Sequence, residues 1–267
     1  METADTAFTG SIPELYDRCL GPFLFQPYAD DLAARAAAVG ADRILETAAG
    51  TGIVTQALAK AMPRAEIVAT DLNPAMLAVA ERRVPAGRAS FRQADAEALP
   101  FEAASFDLIV CQFGAMFFPD RILAYREARR ALRPGGVFLF NVWDRLDANP
   151  ASAAAGQAVA ALFPDAPPSF LERVPFGYGD KGRVEADLRA AGFRDIASET
   201  VVKRSHGPAL ETARGLCLGS PLRAEIEARA PERLDEAVEA AAAALVRLSG
   251  GEEVDAAMSA HVFTASG

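Results

Sequence analysis

Between Arg43 and Trp143 the chain alternates short apolar runs with longer segments whose apolar residues return every third or fourth position. That alternation constrains the fold more than any other feature. A run without a polar face must be covered on both sides, and helices with one apolar stripe are what cover it. The runs are "RILETA" (43–48), "AEIVATDL" (65–72), "SFDLIVCQFGAM" (105–116) and "GVFLFNVW" (136–143), and "ASFRQAD" (89–95) reads as a further short strand, the third in order. Between them, "GIVTQALAKAM", "NPAMLAVAERRV" and "RILAYREARRAL" have helical period. Asn73 followed by Pro74 starts the second of these, Asp120 caps the third, and "RPGG" stops it. Later, "GRVEADLRAAGF" reads as a helix ended by Gly192, and "DIASETVV" (195–202) and "MSAHVFTA" (258–265) as the sixth and seventh strands. Strands joined by helical crossovers imply a mostly parallel sheet with helices on both faces.

Three segments stand outside this rhythm. Residues 1–42 carry a capping-box pattern, Ser11 to Glu14, ahead of an amphipathic run, and read as an N-terminal helical lid. Residues 144–179 are rich in Ala, Pro and Gly and read as a helix with loops. Residues 207–250 read as Ala-rich helices inserted between strands six and seven. A connection that long has a use in a compact domain, and covering a substrate is the expected one. The expected division is therefore a core of residues 43–206 and 251–267 with a lid and a cap.

Composition removes several function classes. The 27 Lys and Arg face 36 Asp and Glu, a net charge of −9 that argues against a general nucleic-acid binder. The basic stretch Arg126–Arg133 is interrupted at helical spacing and reads as a solvated helix face. Cys19, Cys111 and Cys217 are distant and odd in number, which suits reduced thiols in a cytoplasmic protein. His206 and His261 share no close spacing with a cysteine or with each other, so no metal site is expected. No run approaches a membrane span, and "METADTAFTGSIPE" has neither the apolar core nor the basic leader of a signal peptide.

The loop "ILETAAGTGIVT" follows the first strand, where an open α/β sheet binds its ligand. Gly50 and Gly52 permit a sharp turn and close ligand approach, although an ordinary strand-to-helix turn would use them equally well. The surrounding acids discriminate. Asp71 ends the second strand and is placed to accept from both hydroxyls of a ribose, in a dinucleotide or in another nucleoside. Thr55 stands where the dinucleotide fingerprint wants a small residue, and Glu46 puts an acid before the loop, where a pyrophosphate would be repelled. A ligand with a cationic amino group and a sulfonium would be attracted instead. Asp95 ends the third strand, suited to accept from an adenine amino group. No Gly-Lys-Ser/Thr follows the glycines, which excludes a P-loop.

Taken in order, "ILETAAGTG", "ATDLNPAML", "RQADAEALPF", "SFDLIVCQFGAM" and "ALRPGG" resemble the motifs of class I S-adenosylmethionine-dependent methyltransferases. The nearest branch in resemblance is that of the ubiquinone and menaquinone C-methyltransferases, over roughly residues 40–143. The resemblance implies a Rossmann-like, doubly wound, seven-stranded sheet with an antiparallel last strand, S-adenosylmethionine as cofactor and a small organic acceptor. It places Glu46 and the loop Ala48, Gly50, Thr51 and Gly52 at the methionine part. It gives Asp71 the ribose, Leu72 and Met76 the adenine surroundings, and Asp95 and the Ala96 backbone the adenine edge. It sets Cys111, Gln112 and Phe113 beside the methyl group. Ala48 departs from the family, whose loop usually has glycine there.

Methyl transfer from a sulfonium needs alignment and water exclusion before it needs a base, so the lack of a catalytic signature is in keeping with it. His206 is the candidate base, although a lone histidine is more often only hydrogen-bonded or on the surface, and His261 reads as structural. Tyr16 and Tyr28 either close over the cofactor or pack in the core. "GAMFF" (114–118) with Trp143 is either sheet-to-helix packing or an apolar acceptor slot. The alternatives to a methyltransferase are a nicotinamide-dependent oxidoreductase and a non-catalytic module that binds adenosylmethionine. Glu46, Thr55 and the lack of a Tyr-x-x-x-Lys pair oppose the first.

Overall fold

In the computed structural model, which describes Phe8 and residues 10–267, each of those apolar runs contributes a strand to one sheet. The strands are β1 (Arg43–Glu46), β2 (Glu66–Asp71), β3 (Ser90–Gln93), β4 (Phe106–Gln112), β5 (Leu132–Trp143), β6 (Asp195–Pro208) and β7 (Glu253–Ser266). Their order is β3-β2-β1-β4-β5-β7-β6. β1 pairs parallel with β2 and β4, β2 with β3 and β4 with β5, whereas β7 runs antiparallel to β5. The fold is the Rossmann-like seven-stranded α/β sheet that the motifs implied. Ile44 and Leu45 on β1 and Leu108, Ile109, Val110 and Cys111 on β4 are all fully buried. Helices on both faces leave these central strands no wet side, so they are written as unbroken apolar runs. β3, at the edge, is short and largely exposed.

Local start and stop signals behave as the sequence indicates. Asn73 Oδ1 accepts from the Ala75 N–H at 2.8 Å, and Asp120 Oδ1 from the Leu123 N–H at 2.9 Å. Gly192 ends its helix in the left-handed region. The capping box at Ser11 does not form. Ser11, just before the helix Ile12–Leu15, has helical backbone angles and makes no cap bond; its hydroxyl accepts from Arg223 instead. The following stretch, Tyr16–Phe25, winds as a π-helix, with Gln26 N–H donating to Gly21 O. Pro22 within it lacks the N–H that a tighter helix would use.

β6 and β7 are each longer than the apolar run that announces them. Beyond residue 201, β6 alternates buried and exposed positions, and β7 does so before residue 258. Arg204 pairs with Asp255 at 2.7 Å, and the Ser205 hydroxyl donates to Ala256 O. These halves are polar on one face and lack an apolar run, and this places His206 inside a strand rather than after it.

The described chain divides into two units. One comprises Tyr28–Trp143, Tyr178–Val201 and Ala260–Gly267; the other comprises the chain up to Pro27 with Asp144–Gly177 and Val202–Ser259. This redraws the expected boundaries. The helix Gln26–Val39 joins the sheet unit mostly through Tyr28, Ala29, Leu32, Ala33 and Ala36, all buried. Residues 144–177 join the insertion, because the helix Pro150–Ala161 packs on Leu234–Ser249; Ala155 on the first and Ala241 on the second are buried. Within the same unit the helix Ala209–Leu218 meets the π-helix at Gly215, where a Cβ would lie 2.5 Å from Leu20. Among the described residues no helix is long and apolar enough to cross a membrane.

Candidate functional site

The sheet reverses its order between β1 and β4, and the carboxyl ends of β2, β1 and β4 carry Asp71, Glu46 and Gln112. Register aligns Asp71 with Gln93 on β3, and Asp95 is the second residue of the loop that follows. Crevices at such switch points are where open α/β sheets bind ligands.

The loop after β1 is tightly bent. Gly50 and Gly52 have φ of 55° and 79°, and Ala48 shares the left-handed region at 51°. Gly52 is required twice over, since a Cβ there would also lie 2.8 Å from the Ala80 Cβ. Alanine at 48 carries a strain of about 1 kcal/mol. Its methyl occupies space beside Gly114, where a Cβ would lie 2.4 Å from the Ala48 Cβ and 2.8 Å from Cys111 Sγ. Gly114→Ala is therefore expected to destabilise the protein by about 1–3 kcal/mol. Adding Ala48→Gly should recover most of that loss, leaving only the sulfur to move; urea denaturation of the two variants checks this. Equal losses in both would remove the shared-volume argument.

Asp71 is half-buried and holds the loop together. Oδ2 accepts from the Gly50 N–H and Oδ1 from the Asn73 N–H, both at 2.8 Å. Burial raises its pKa, while the N–H groups of Asn73, Gly50 and Leu72 oppose the rise. These backbone bonds do not exhaust the lone pairs of the carboxylate, which can still accept from a ligand hydroxyl. Glu46 is buried, and Thr55 Oγ1 donates to its Oε2 at 2.6 Å. Burial pushes its carboxyl up to about 8, the charge of Asp71 adds to this, and the Thr55 bond opposes it. Thr55 thus fills the position of the fingerprint's third small residue with a hydroxyl committed to Glu46. The Thr51 hydroxyl is buried without a partner among the described residues.

Leu72 is 39% exposed, just past the end of β2, and Met76 is buried in the helix Pro74–Arg83 that follows. Asp95 is half-buried, its Oδ1 accepting from the Glu97 N–H at 2.9 Å, and Ala96 follows in the same turn. At the end of β4, Cys111 is fully buried and burial pushes its thiol up to about 11, so it offers no nucleophile. Gln112 is half-buried. Phe113 has φ of 49°, a strained value for an aromatic residue, and its N–H donates to Asn141 Oδ1 at 2.9 Å. Its ring stacks on Trp143 at 3.8 Å and 6°, and Tyr28 meets both edge-on.

Packing is accordingly the role of Tyr28, Met116 and Trp143, while Phe117 and Phe118 remain half-exposed. Asn141 escaped the sequence reading. Its signal is the single amide inside "FLFNVW", a polar side chain where an apolar one fits the run. His206 is exposed and Tyr16 stacks on Phe25; both lie in the helical unit, apart in the chain from the residues above. His261 is buried in the sheet unit, donating from Nε2 to Gly179 O and accepting at Nδ1 from the Thr200 hydroxyl, a structural pairing. Among the described residues no group of three or more His, Cys, Asp or Glu is placed to hold a metal.

A methyltransferase domain profile matches residues 45–140, the stretch from β1 through β5 that carries these groups. A ubiquinone/menaquinone biosynthesis C-methyltransferase of Syntrophotalea carbinolica is 43% identical over 105 residues, covering 39% of this chain and 44% of that protein. The chain therefore aligns with less than half the length of that relative. A demethylmenaquinone methyltransferase of Deinococcus radiodurans is 31% identical over 177 residues, 61% of this chain and 72% of the relative. The chain belongs to the class I S-adenosylmethionine-dependent methyltransferase family. In fold, this family member resembles Haemonchus contortus phosphoethanolamine N-methyltransferase 2 in complex with S-adenosyl-L-methionine, with a TM-score of 0.61 and 18% identity. That likeness covers all of this chain and 60% of the other.

In this member of the methyltransferase family the matched stretch contains both the strand-end acids and the glycine loop. The strand-end acids flank a loop with no third glycine, and the exposed Leu72 stands between Asp71 and Asn73.

Proposed function

We propose that the protein binds S-adenosylmethionine at the β1–β4 strand ends and transfers its methyl group to a small organic acceptor. The observation that carries this reading is the arrangement of Glu46, Asp71 and Asp95 around the Ala48–Gly52 loop, with Thr55 committed to Glu46. When bound, the cofactor supplies an electrophilic methyl on a sulfonium, displaced in line by the acceptor. Asp71, already fixed by two backbone N–H groups, accepts from the ribose hydroxyls. Leu72 gives the adenine an apolar face, and Asp95 accepts from its amino group. The buried Thr51 hydroxyl and the loop N–H groups suit the methionine carboxylate, and Glu46, once it gives up its proton, makes the field there negative for the amino group and sulfonium. The ends of β4, held by Asn141 and the Phe113–Trp143 stack, border the methyl.

None of these groups is poised as a base, so the chain's contribution is orientation and exclusion of water. The named quinone methyltransferases among the relatives support a small organic acceptor. Calorimetry with S-adenosylmethionine, S-adenosylhomocysteine and NAD tests the cofactor. Micromolar binding of the adenosyl ligands with none of NAD is expected, whereas binding of NAD alone would restore the oxidoreductase reading.

A further inference from the structure

Between β3 and β4 the chain runs from Ala94 to Ser105 without helix or strand, yet its backbone is held at several points by side chains of one helix, Arg121–Ala131. Glu127 Oε2 accepts from the Leu99 N–H at 3.0 Å. Arg130 donates from Nη2 to Leu99 O at 3.0 Å and from Nη1 to Phe101 O at 2.8 Å. The two side chains also grip each other, Nε to Oε1 at 2.7 Å and Nη2 to Oε2 at 2.8 Å. Three main-chain groups of an irregular loop are thus satisfied by one bidentate ion pair, whose fork geometry fixes both position and angle. The loop is tied a second time at the start of the same helix, where Glu97 Oε1 accepts from the Asp120 N–H at 2.6 Å. Glu97 is also the residue whose N–H holds Asp95 Oδ1.

The consequence concerns Asp95. One of its oxygens is committed to Glu97, and the direction of the other depends on where the loop is pinned. We propose that Glu127, Arg130 and Glu97 are positioning residues that set the purine selectivity of the site, by holding the Asp95 carboxylate where it accepts from a 6-amino group. The inference rests on the cofactor reading above. A 6-oxo purine presents an acceptor at that point, and a carboxylate held in place rejects it. A carboxylate on a slack loop swings away and tolerates it. Selectivity is therefore assigned to one helix and to the loop residue tied to its start, whose side chains have no contact with the ligand in this reading.

The test compares S-adenosylhomocysteine with its deaminated analogue S-inosylhomocysteine by calorimetry, in the unaltered protein and in Arg130→Met, Glu127→Gln and Glu97→Ala. The unaltered protein is expected to prefer the adenosyl ligand by about tenfold or more, the worth of one charge-assisted hydrogen bond. In Arg130→Met and Glu97→Ala the ratio of the two dissociation constants should fall several-fold toward unity. Simple loosening of the fold weakens both ligands equally and leaves the ratio unchanged; that result overturns the proposal. Glu97→Ala removes only a half-buried side chain, so the test stands if Arg130→Met fails to fold. An unaltered protein that binds both ligands equally also overturns it. Failure to bind S-adenosylhomocysteine at all overturns the cofactor reading instead.

Discussion

Asp71→Ala is expected to weaken binding of S-adenosylhomocysteine by a factor of about 100 to 1,000, the loss of two hydrogen bonds between a carboxylate and a ribose diol. The structure adds a second cost. Gly50 and Asn73 each donate a backbone N–H to this carboxylate, so alanine leaves both without their acceptor and slackens the turn itself. The variant should accordingly lose stability as well as affinity, by about 1–3 kcal/mol in urea denaturation. Asp71→Asn separates the two effects, since its amide oxygen still accepts from one backbone N–H while its NH2 faces the other donor. It should lie between the native protein and alanine in both measurements. Native affinity in Asp71→Ala would remove the ribose assignment.

Glu46 gives the second large effect, and its sign follows from its surroundings. Burial holds the folded-state carboxyl at about 8, against 4.5 for an exposed glutamate. Between these values the folded chain keeps a proton that the unfolded chain has released. Stability from this group is therefore full below about pH 4.5 and is lost as pH rises toward 8, at up to about 1.4 kcal/mol per pH unit inside the window. Glu46→Gln, neutral at every pH, should flatten that slope. A cationic ligand favours the ionised form, so affinity for S-adenosylmethionine should rise with pH up to about 8. Below that value binding should release a proton, which calorimetry in buffers of different ionisation enthalpy measures. Binding without proton release at pH 7 in the native protein would show that Glu46 does not feel the ligand's charge.

The parts of the fold that were legible in the sequence are those where burial alone dictates residue type. β1, β2, β4 and β5 lie between helices and show as apolar runs, and Asn73, Asp120 and Gly192 mark helix ends with side-chain or backbone chemistry that acts locally. The outer halves of β6 and β7 were not legible, because one wet face gives them the alternation of "VKRSH" rather than a run. The Ser11 capping box looked complete in sequence, yet its hydroxyl is taken by Arg223, a partner more than two hundred residues away that no local pattern announces.

The site divides along the same line. Glu46, Asp71 and Asp95 could be found because strand ends fix where a side chain goes. The grip of Glu127 and Arg130 on Leu99 and Phe101 could not, because "REARRAL" on its own is an ordinary charged helix face. Nor does any pattern show that Phe113 turns left-handed, since that conformation comes from Asn141 and Trp143 on the neighbouring strand.

The methyl of Ala48 and the empty position at Gly114 share one volume, and that sharing gives the chain a direction in its mutational history. A lineage with glycine at both sites can gain alanine at 48 at the modest expense of a left-handed backbone. Having done so, it meets a higher cost for any side chain at 114, where the Cys111 sulfur already crowds a Cβ. The two positions, distant in sequence, are coupled through that volume, so the methyl at 48 adds to the cost of any side chain at 114.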